Sequence, residues 1–417
     1  MQVVALTTAR VVTCTLTVLL AGHAPAAVRA QSPHTPGTAA RAGAHAVLLA
    51  THARPMLAGA SRTEAYVTQP TLFGDLSLLG GSVHGVASVS LEPLTLDRGE
   101  LGAGSYGEGY VDRRHPHTYA HELIIWGKAA VGRVAASVAL GRGFVPFGSD
   151  DPMTRPFVKF PVNHHLGQIL ERWVATAGAR TGPLMVEAAL FSGAEPFEPT
   201  DWGSLARFGD SWAVRATTFP IATIELQVSF AQVHSPEMPR GAGTDQRKWS
   251  ASARSERRVG AGTLYALAEW KRTTVVDEGR DVFSFGSMLA EAELARGGWR
   301  PAVRIERTHR PEEERSFDPF RSPWPHADAT VLGITRWTIV GLRMQRDAAV
   351  RALRLAPFIE TSYAHVAETA GGPFDPGVFY GSRSIWTFNL GVRVGAGSHR
   401  ARMGRYGVAS AADHAVH

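Results

Sequence analysis

Polarity in this chain alternates residue by residue over short stretches, and the stretches are joined by connections that are in turn tight and long. Ala222, Ile224, Leu226, Val228 and Phe230 fall on one face of an extended segment, with Thr223, Glu225, Gln227 and Ser229 on the other. Trp386, Phe388, Leu390, Val392 and Val394 oppose Thr387, Asn389, Gly391 and Arg393 in the same way. Leu264, Ala266, Ala268 and Trp270 oppose Thr263, Tyr265, Glu269 and Lys271, with Leu267 breaking the pattern. After the N-terminus no run approaches the ~20 apolar residues that a membrane helix needs, so any crossing of a bilayer must use strands. One face of each strand suits lipid and the other suits water.

A soluble β-sandwich also alternates, and the connections separate the two readings. Tight turns fall near Gly80-Gly81 and near 127–131, 180–183, 219–221, 257–260, 296–298 and 346–350. Longer polar connections fall near 52–64, 93–117, 142–166, 193–209, 235–246, 272–281, 308–330 and 365–383. Strict alternation of short and long is the asymmetry of an outer-membrane barrel, with short periplasmic turns, long outer loops and both termini in the periplasm. The predicted fold is therefore all-β: a transmembrane antiparallel up-and-down β-barrel of about 16 strands. Fourteen is the fallback, because the first pair, around 46–52 and 66–79, alternates less cleanly. Trp126, Trp173, Trp202, Trp212, Trp270, Trp299, Trp337 and Trp386 are candidates for the aromatic girdle where strands cross the interface.

Residues 1–30 read as a secretory signal peptide. Arg10 closes a short n-region, residues 11–22 are apolar, and Val28-Arg29-Ala30 precedes a cleavage point before Gln31. Residues 31–44, rich in Ala, Pro, Thr and Gly, read as a flexible periplasmic lead-in, 45–396 as the barrel, and 397–417 as a C-terminal tail. Cys14 is the only cysteine and lies in the leader, so the mature chain has no disulfide and no thiolate ligand. Losing Arg10 and Arg29 with the leader takes the net charge from +6 to +4, too mild to point to nucleic acid as a partner.

Most charge falls on the predicted inner faces. Arg215, Arg304, Arg354 and Arg393 stand among Glu187, Glu225, Glu269, Glu291, Glu293 and Glu360, where a wet lumen tolerates them. They read either as a solvated ladder of Arg/Glu pairs along the wall or as an anion-selecting strip.

The segments Ser90-Leu91-Glu92-Pro93-Leu94-Thr95, Gly99-Glu100 and Asp112-Arg113-Arg114-His115-Pro116-His117, followed by Glu122-Leu123, come in the order SLEPLT, GE, DRQHPHD. That order resembles a group of bacterial outer-membrane β-barrel proteins. Further matching segments are Pro161 to His165, Phe191 to Pro196, Ser235-Pro236-Glu237 and Met403-Gly404-Arg405-Tyr406-Gly407. Arg114 stands where the group has Gln, and Thr118 where it has the last Asp. The resemblance implies a porin-like barrel in the outer membrane more firmly than it implies any activity.

His115 and His117 straddle Pro116, which favours an extended segment with both imidazoles on one side. With Asp112 and the His164-His165 pair they could supply nitrogen and oxygen ligands to Zn or Cu. The alternatives are a hydrogen-bonded cluster that pins two outer loops to the rim, and catalysis. His121 and Glu122 are adjacent on a strand, so at most one joins the cluster. No catalytic residues or cofactor are assigned: Ser90 and Ser192 have no base at a telling spacing, and no phosphate-cradling glycine loop opens a helix. The expected function is a passive channel or structural porin. The runner-up is a metal-handling transport component, and an outer-membrane hydrolase is the remote third. The expected partners are outer-membrane lipid, the barrel-assembly and periplasmic chaperone machinery during insertion, and small solutes.

Overall fold

A computed structural model describes residues 38–414, apart from 56–58, 97–98, 103–112, 115–116, 163, 197, 239, 314–330, 371, 373 and 399–401. The expected leader therefore lies outside the described residues. Sixteen long strands follow one another: β1 (Ala39–Arg54), β2 (Arg62–Leu78), β3 (Val83–Ser90), β4 (Ala120–Val131), β5 (Val134–Gly143), β6 (Arg172–Thr181), β7 (Leu184–Ser192) and β8 (Phe208–Ile221). The second half comprises β9 (Ile224–Val233), β10 (Asp245–Val259), β11 (Gly262–Asp277), β12 (Arg280–Ala295), β13 (Trp299–Glu313), β14 (Val331–Arg346), β15 (Leu353–Ala370) and β16 (Ser384–Gly397). Each pairs antiparallel with its sequence neighbour, and β1 pairs with both β2 and β16, closing the ring. A short segment, Ala348–Val350, continues the β14 side of the pairing with β15. Closure satisfies every strand edge, which a sheet in lipid requires. No helix among the described residues is long and apolar enough to cross a membrane.

Both barrel ends of the chain, at Ala39 and Gly397, sit at the end where the tight turns gather. Gly132 (φ 63°) and Gly182 (φ 54°) begin two-residue turns there, supplying the left-handed backbone such hairpins need. Several boundaries shift by a few residues, as where the turn expected near 127–131 falls at Gly132-Arg133, and two shifts bear on the fold. Residues 39–44, expected above to be lead-in, already pair with β2, and Gly43 and Ala44 also with β16, so the first strand pair is complete and the count is sixteen. The connection expected at 272–281 is only a turn at Glu278-Gly279, because β11 and β12 stay paired out to Asp277 and Arg280. A barrel strand needs only ~9–11 residues to cross. The polar ends of this hairpin therefore extend beyond the apolar band.

Burial follows the alternation. On β9, Leu226 is 40% exposed while Gln227 is 5% exposed. Leu190, Ile305, Ile359 and Leu390 join the same outward apolar band. Trp202, Trp212, Trp270, Trp299 and Trp386 are also exposed, and Trp173 is half-buried. Trp126 and Trp337 are not girdle residues: both are buried, on the inward parity of their strands. Trp126 packs on Tyr406, and Trp337 meets Tyr380 edge-on. Inside the barrel, Trp126, Ile124, Val174 and Phe191 of the wall form one apolar cluster with Phe144, Phe147, Met403 and Tyr406. This part of the lumen is thus packed like a protein core.

Candidate functional site in the barrel lumen

Residues 144–171, between β5 and β6, turn inward. Phe144, Val145 and Phe147 enter the apolar cluster and carry the loop into the bore. Gly148 (φ 71°) lies where a side chain would collide with the carbonyl of Gly167, so the two limbs of the loop touch. A buried loop must find partners for its backbone polar groups. Here the wall supplies them with charged side chains. Glu360 accepts from Val158 N (2.8 Å) and Lys159 N (3.2 Å), and Glu306 accepts from Val162 N (3.1 Å). Arg304 donates to the Lys159 carbonyl (2.8 Å), and Arg343 and Arg393 both donate to that of Pro156. Arg155 reaches across to Glu269 (2.5 Å), which Lys271 also contacts (2.8 Å).

The segment after β16 also enters the lumen. Arg402 contacts Asp150 (2.6 Å) and Glu225 (2.5 Å), and Arg405 donates to Gln227 (2.8 Å). The Tyr406 hydroxyl donates to Glu122 (2.8 Å) and accepts from Phe144 N (3.2 Å). Val408 N donates to Ser137 (2.9 Å). The tail is therefore tied to both the wall and the inward loop. Burial alone would raise the Asp150 carboxyl, but the guanidinium groups of Arg402, Arg254, Arg405 and Arg155 outweigh it and hold it well below the usual carboxylate range. Burial, with Arg215 and Arg402 nearby, brings the Arg405 guanidinium down to about 10.

The residues expected to line the lumen do face inward, and half of them form Arg/Glu pairs along the wall. Arg215 pairs with Glu187 (2.6 Å) and Arg304 with Glu291 (3.0 Å), each across neighbouring strands. Glu293 holds Arg300 (2.7 Å) and Arg343. The others work differently: Glu225 holds the tail, Glu269, Glu360 and Arg393 hold the loop, and Arg354 donates to the Gly397 carbonyl (2.8 Å). What sequence reasoning missed is that the wall charges have occupants. The available signals were the four phenylalanines of the connection after β5 and, in the stretch expected to be a tail, the two apolar residues and arginine of Met403 to Gly407.

Asp112 and His115 lie outside the described residues, and for His165 only the backbone is described. His117 Nδ1 lies 2.9 Å from Glu92, and His121 Nδ1 lies 2.8 Å from Glu171. The two rings meet edge to face at 4.6 Å. Phe160 links His117 to His164, whose Nδ1 is 3.0 Å from the Pro161 carbonyl. The pairing of β3 with β4 shifts register at His121. This bulge lets His121 and Glu122 both be buried, yet only His121 joins the histidines while Glu122 turns to Tyr406. Glu171 also accepts from Thr118 N (3.0 Å), and the nearby imidazoles outweigh its burial and lower its pKa. Among the described residues, no group of three or more His, Cys, Asp or Glu is placed to hold a metal ion. Ser192 donates to the Ser204 carbonyl and Ser90 accepts from Glu92 N, so neither hydroxyl is set against a base in these contacts.

The inward loop divides the bore. Towards the turns lies a chamber of about 720 Å³, floored by 150–156 and Met403. Towards the long connections lies a cavity of about 60 Å³, lined by Phe157, Lys159, Glu306 and Glu360.

A closed antiparallel ring of sixteen strands, with tight turns gathered at one end and a long loop folded into the bore, is the architecture of an outer-membrane porin. The fold is similar to that of an anion-selective porin from Comamonas acidovorans, with a TM-score of 0.50, 11% identity, and coverage of 86% of this chain and 99% of that one. OmpT, an outer membrane protein of Vibrio cholerae, matches with a TM-score of 0.50 and 8% identity over 86% of this chain and 97% of its own. At such identities the likeness is one of fold alone. No protein-family model matches the chain, and a search of curated proteins finds no match.

Proposed function

We propose that the protein is a porin-type channel of the bacterial outer membrane for small solutes, with its termini and tight turns in the periplasm. Its bore would be narrowed by residues 144–171 and further restricted by the seated tail. The observation that carries this reading is the chamber of about 720 Å³ inside a closed, lipid-compatible ring, next to an inward loop held by wall charges. A ring of sixteen strands is too wide for wall side chains alone to fill, and the chamber is the space that the loop and the tail leave open in it. Iodide entry into dye-loaded vesicles tests it. Entry should be slow with the full mature chain and fast when residues from 399 onward are removed. Vesicles carrying either form, correctly folded, that stay as tight as protein-free vesicles would reject a channel.

A further inference from the structure

The chamber on the turn side has an uneven charge balance. Six guanidinium groups line it, those of Arg155, Arg254, Arg300, Arg343, Arg354 and Arg393, against four carboxylates, Asp150, Glu256, Glu293 and Asp347. Each carboxylate is already engaged. Asp150 lies 3.0 Å from Arg254 and is also held by Arg402, while Glu256 lies 2.9 Å from Arg254. Glu293 is shared by Arg300 and Arg343, and Asp347 lies 2.6 Å from Arg300.

Two of the arginines are left with carbonyl partners alone. Arg393 donates to the carbonyls of Arg155 and Pro156, and its Nε is buried without a hydrogen-bond partner. Arg354 donates to the carbonyls of Gly397 and Ser398. The two stand on paired strands, Arg393 opposite Ala356 and Arg354 opposite Gly395, so they are diagonal neighbours on one inner face. Carbonyl dipoles orient a guanidinium without neutralising it, so the half-buried Arg393 and, at the chamber's mouth, the exposed Arg354 both favour any anion that can reach them. The rest of the lining includes Phe73, Met153 and Met403, an apolar surface beside the two cations. A largely apolar cavity with a few convergent polar groups is the general form of a small-molecule site.

We propose that this chamber binds a small organic anion, its carboxylate or phosphate on Arg354 and Arg393 and its apolar body against Phe73, Met153 and Met403. The cavity on the other side of the loop has the opposite bias, with Glu100, Glu306 and Glu360 against Lys159 and Arg304. The preference for anions thus belongs to the turn side and not to the bore as a whole.

This goes beyond the channel reading. Binding in detergent needs no conduction, so either idea can fail while the other stands. The test is isothermal titration of the full mature chain, refolded in a non-ionic detergent, with benzoate, phenyl phosphate, inorganic phosphate and the neutral benzamide. Benzoate and phenyl phosphate should bind at least roughly tenfold more tightly than benzamide, and phenyl phosphate more tightly than inorganic phosphate. Arg354→Gln and Arg393→Gln should each weaken both aromatic anions. Arg393→Gln also loosens the loop, so the more exposed Arg354→Gln, with folding checked by heat-modifiable gel migration, is the decisive variant. Benzamide binding as well as benzoate, no binding of either aromatic anion at millimolar concentration, or unchanged affinity in folded Arg354→Gln would each overturn the site. Inorganic phosphate matching phenyl phosphate would overturn the apolar half of it.

Discussion

At the scale of single residues, neighbouring positions on one strand face different media. Leu226 meets lipid, so Leu226→Arg should cost ~2–4 kcal/mol of folding in bilayers and reduce the folded fraction on a gel-shift assay. An open, wet lumen would accept Gln227→Arg. The structure predicts a different outcome, because Gln227 accepts from Arg405 at 2.8 Å and a cation there would repel the tail. The variant should fold yet expose its C-terminal segment to protease; a tail as protected as in the wild type would contradict the contact. The pH response follows from Asp150. Its folded pKa is depressed, so the stabilisation is present above its unfolded value of ~3.9 and is lost as pH falls through the folded value. Pepsin should therefore leave the tail intact around pH 4 and remove it only at markedly lower pH. Release already at pH 6 would mean that Asp150 is not the clamp.

At the scale of elements, the strands were legible and their contents were not. The alternation around Leu226, Trp270 and Phe388 fixes faces because one side of each strand must meet lipid. The sequence expectation of a polar outer connection near 142–166 gives too little weight to Phe144, Phe147, Phe157 and Phe160, which suit an inward path better than an outer one. The loop's direction depends also on Glu306, Glu360 and Arg304, which sit far along the chain and reveal their role only once the ring closes. The turn at Glu278-Gly279 was read as long because polar residues 272–274 look like the start of a loop. Paired strand that extends beyond the membrane is just as polar. For the histidines, the Glu92–His117 and Glu171–His121 pairs were hidden by separation in sequence and by a bulge that parity does not foresee. Glu360→Gln tests the loop clamp. A charged acceptor serving two amides is worth ~1.5–3 kcal/mol per bond, so thermal stability should drop and the loop should gain hydrogen exchange at Val158 and Lys159. Unchanged exchange there would remove Glu360 from that role.

At the scale of the whole molecule, the ring, the inward loop and the tail form one assembly in which part of the wall charge holds the loop and the tail. If the long connections face outward, protease on intact cells should cut within 193–207 or 371–383 and spare Gly260-Ala261. Cutting at the tight turns alone would invert the orientation. The central claim is that a conducting bore exists and that the seated tail restricts it. Single-channel recording in planar bilayers measures this directly, comparing the full mature chain with one ending at Ser398. The expected result is small or infrequent steps for the full chain and larger, sustained steps for the shortened one. Equal conductance in the two, with both shown to be folded, would contradict it.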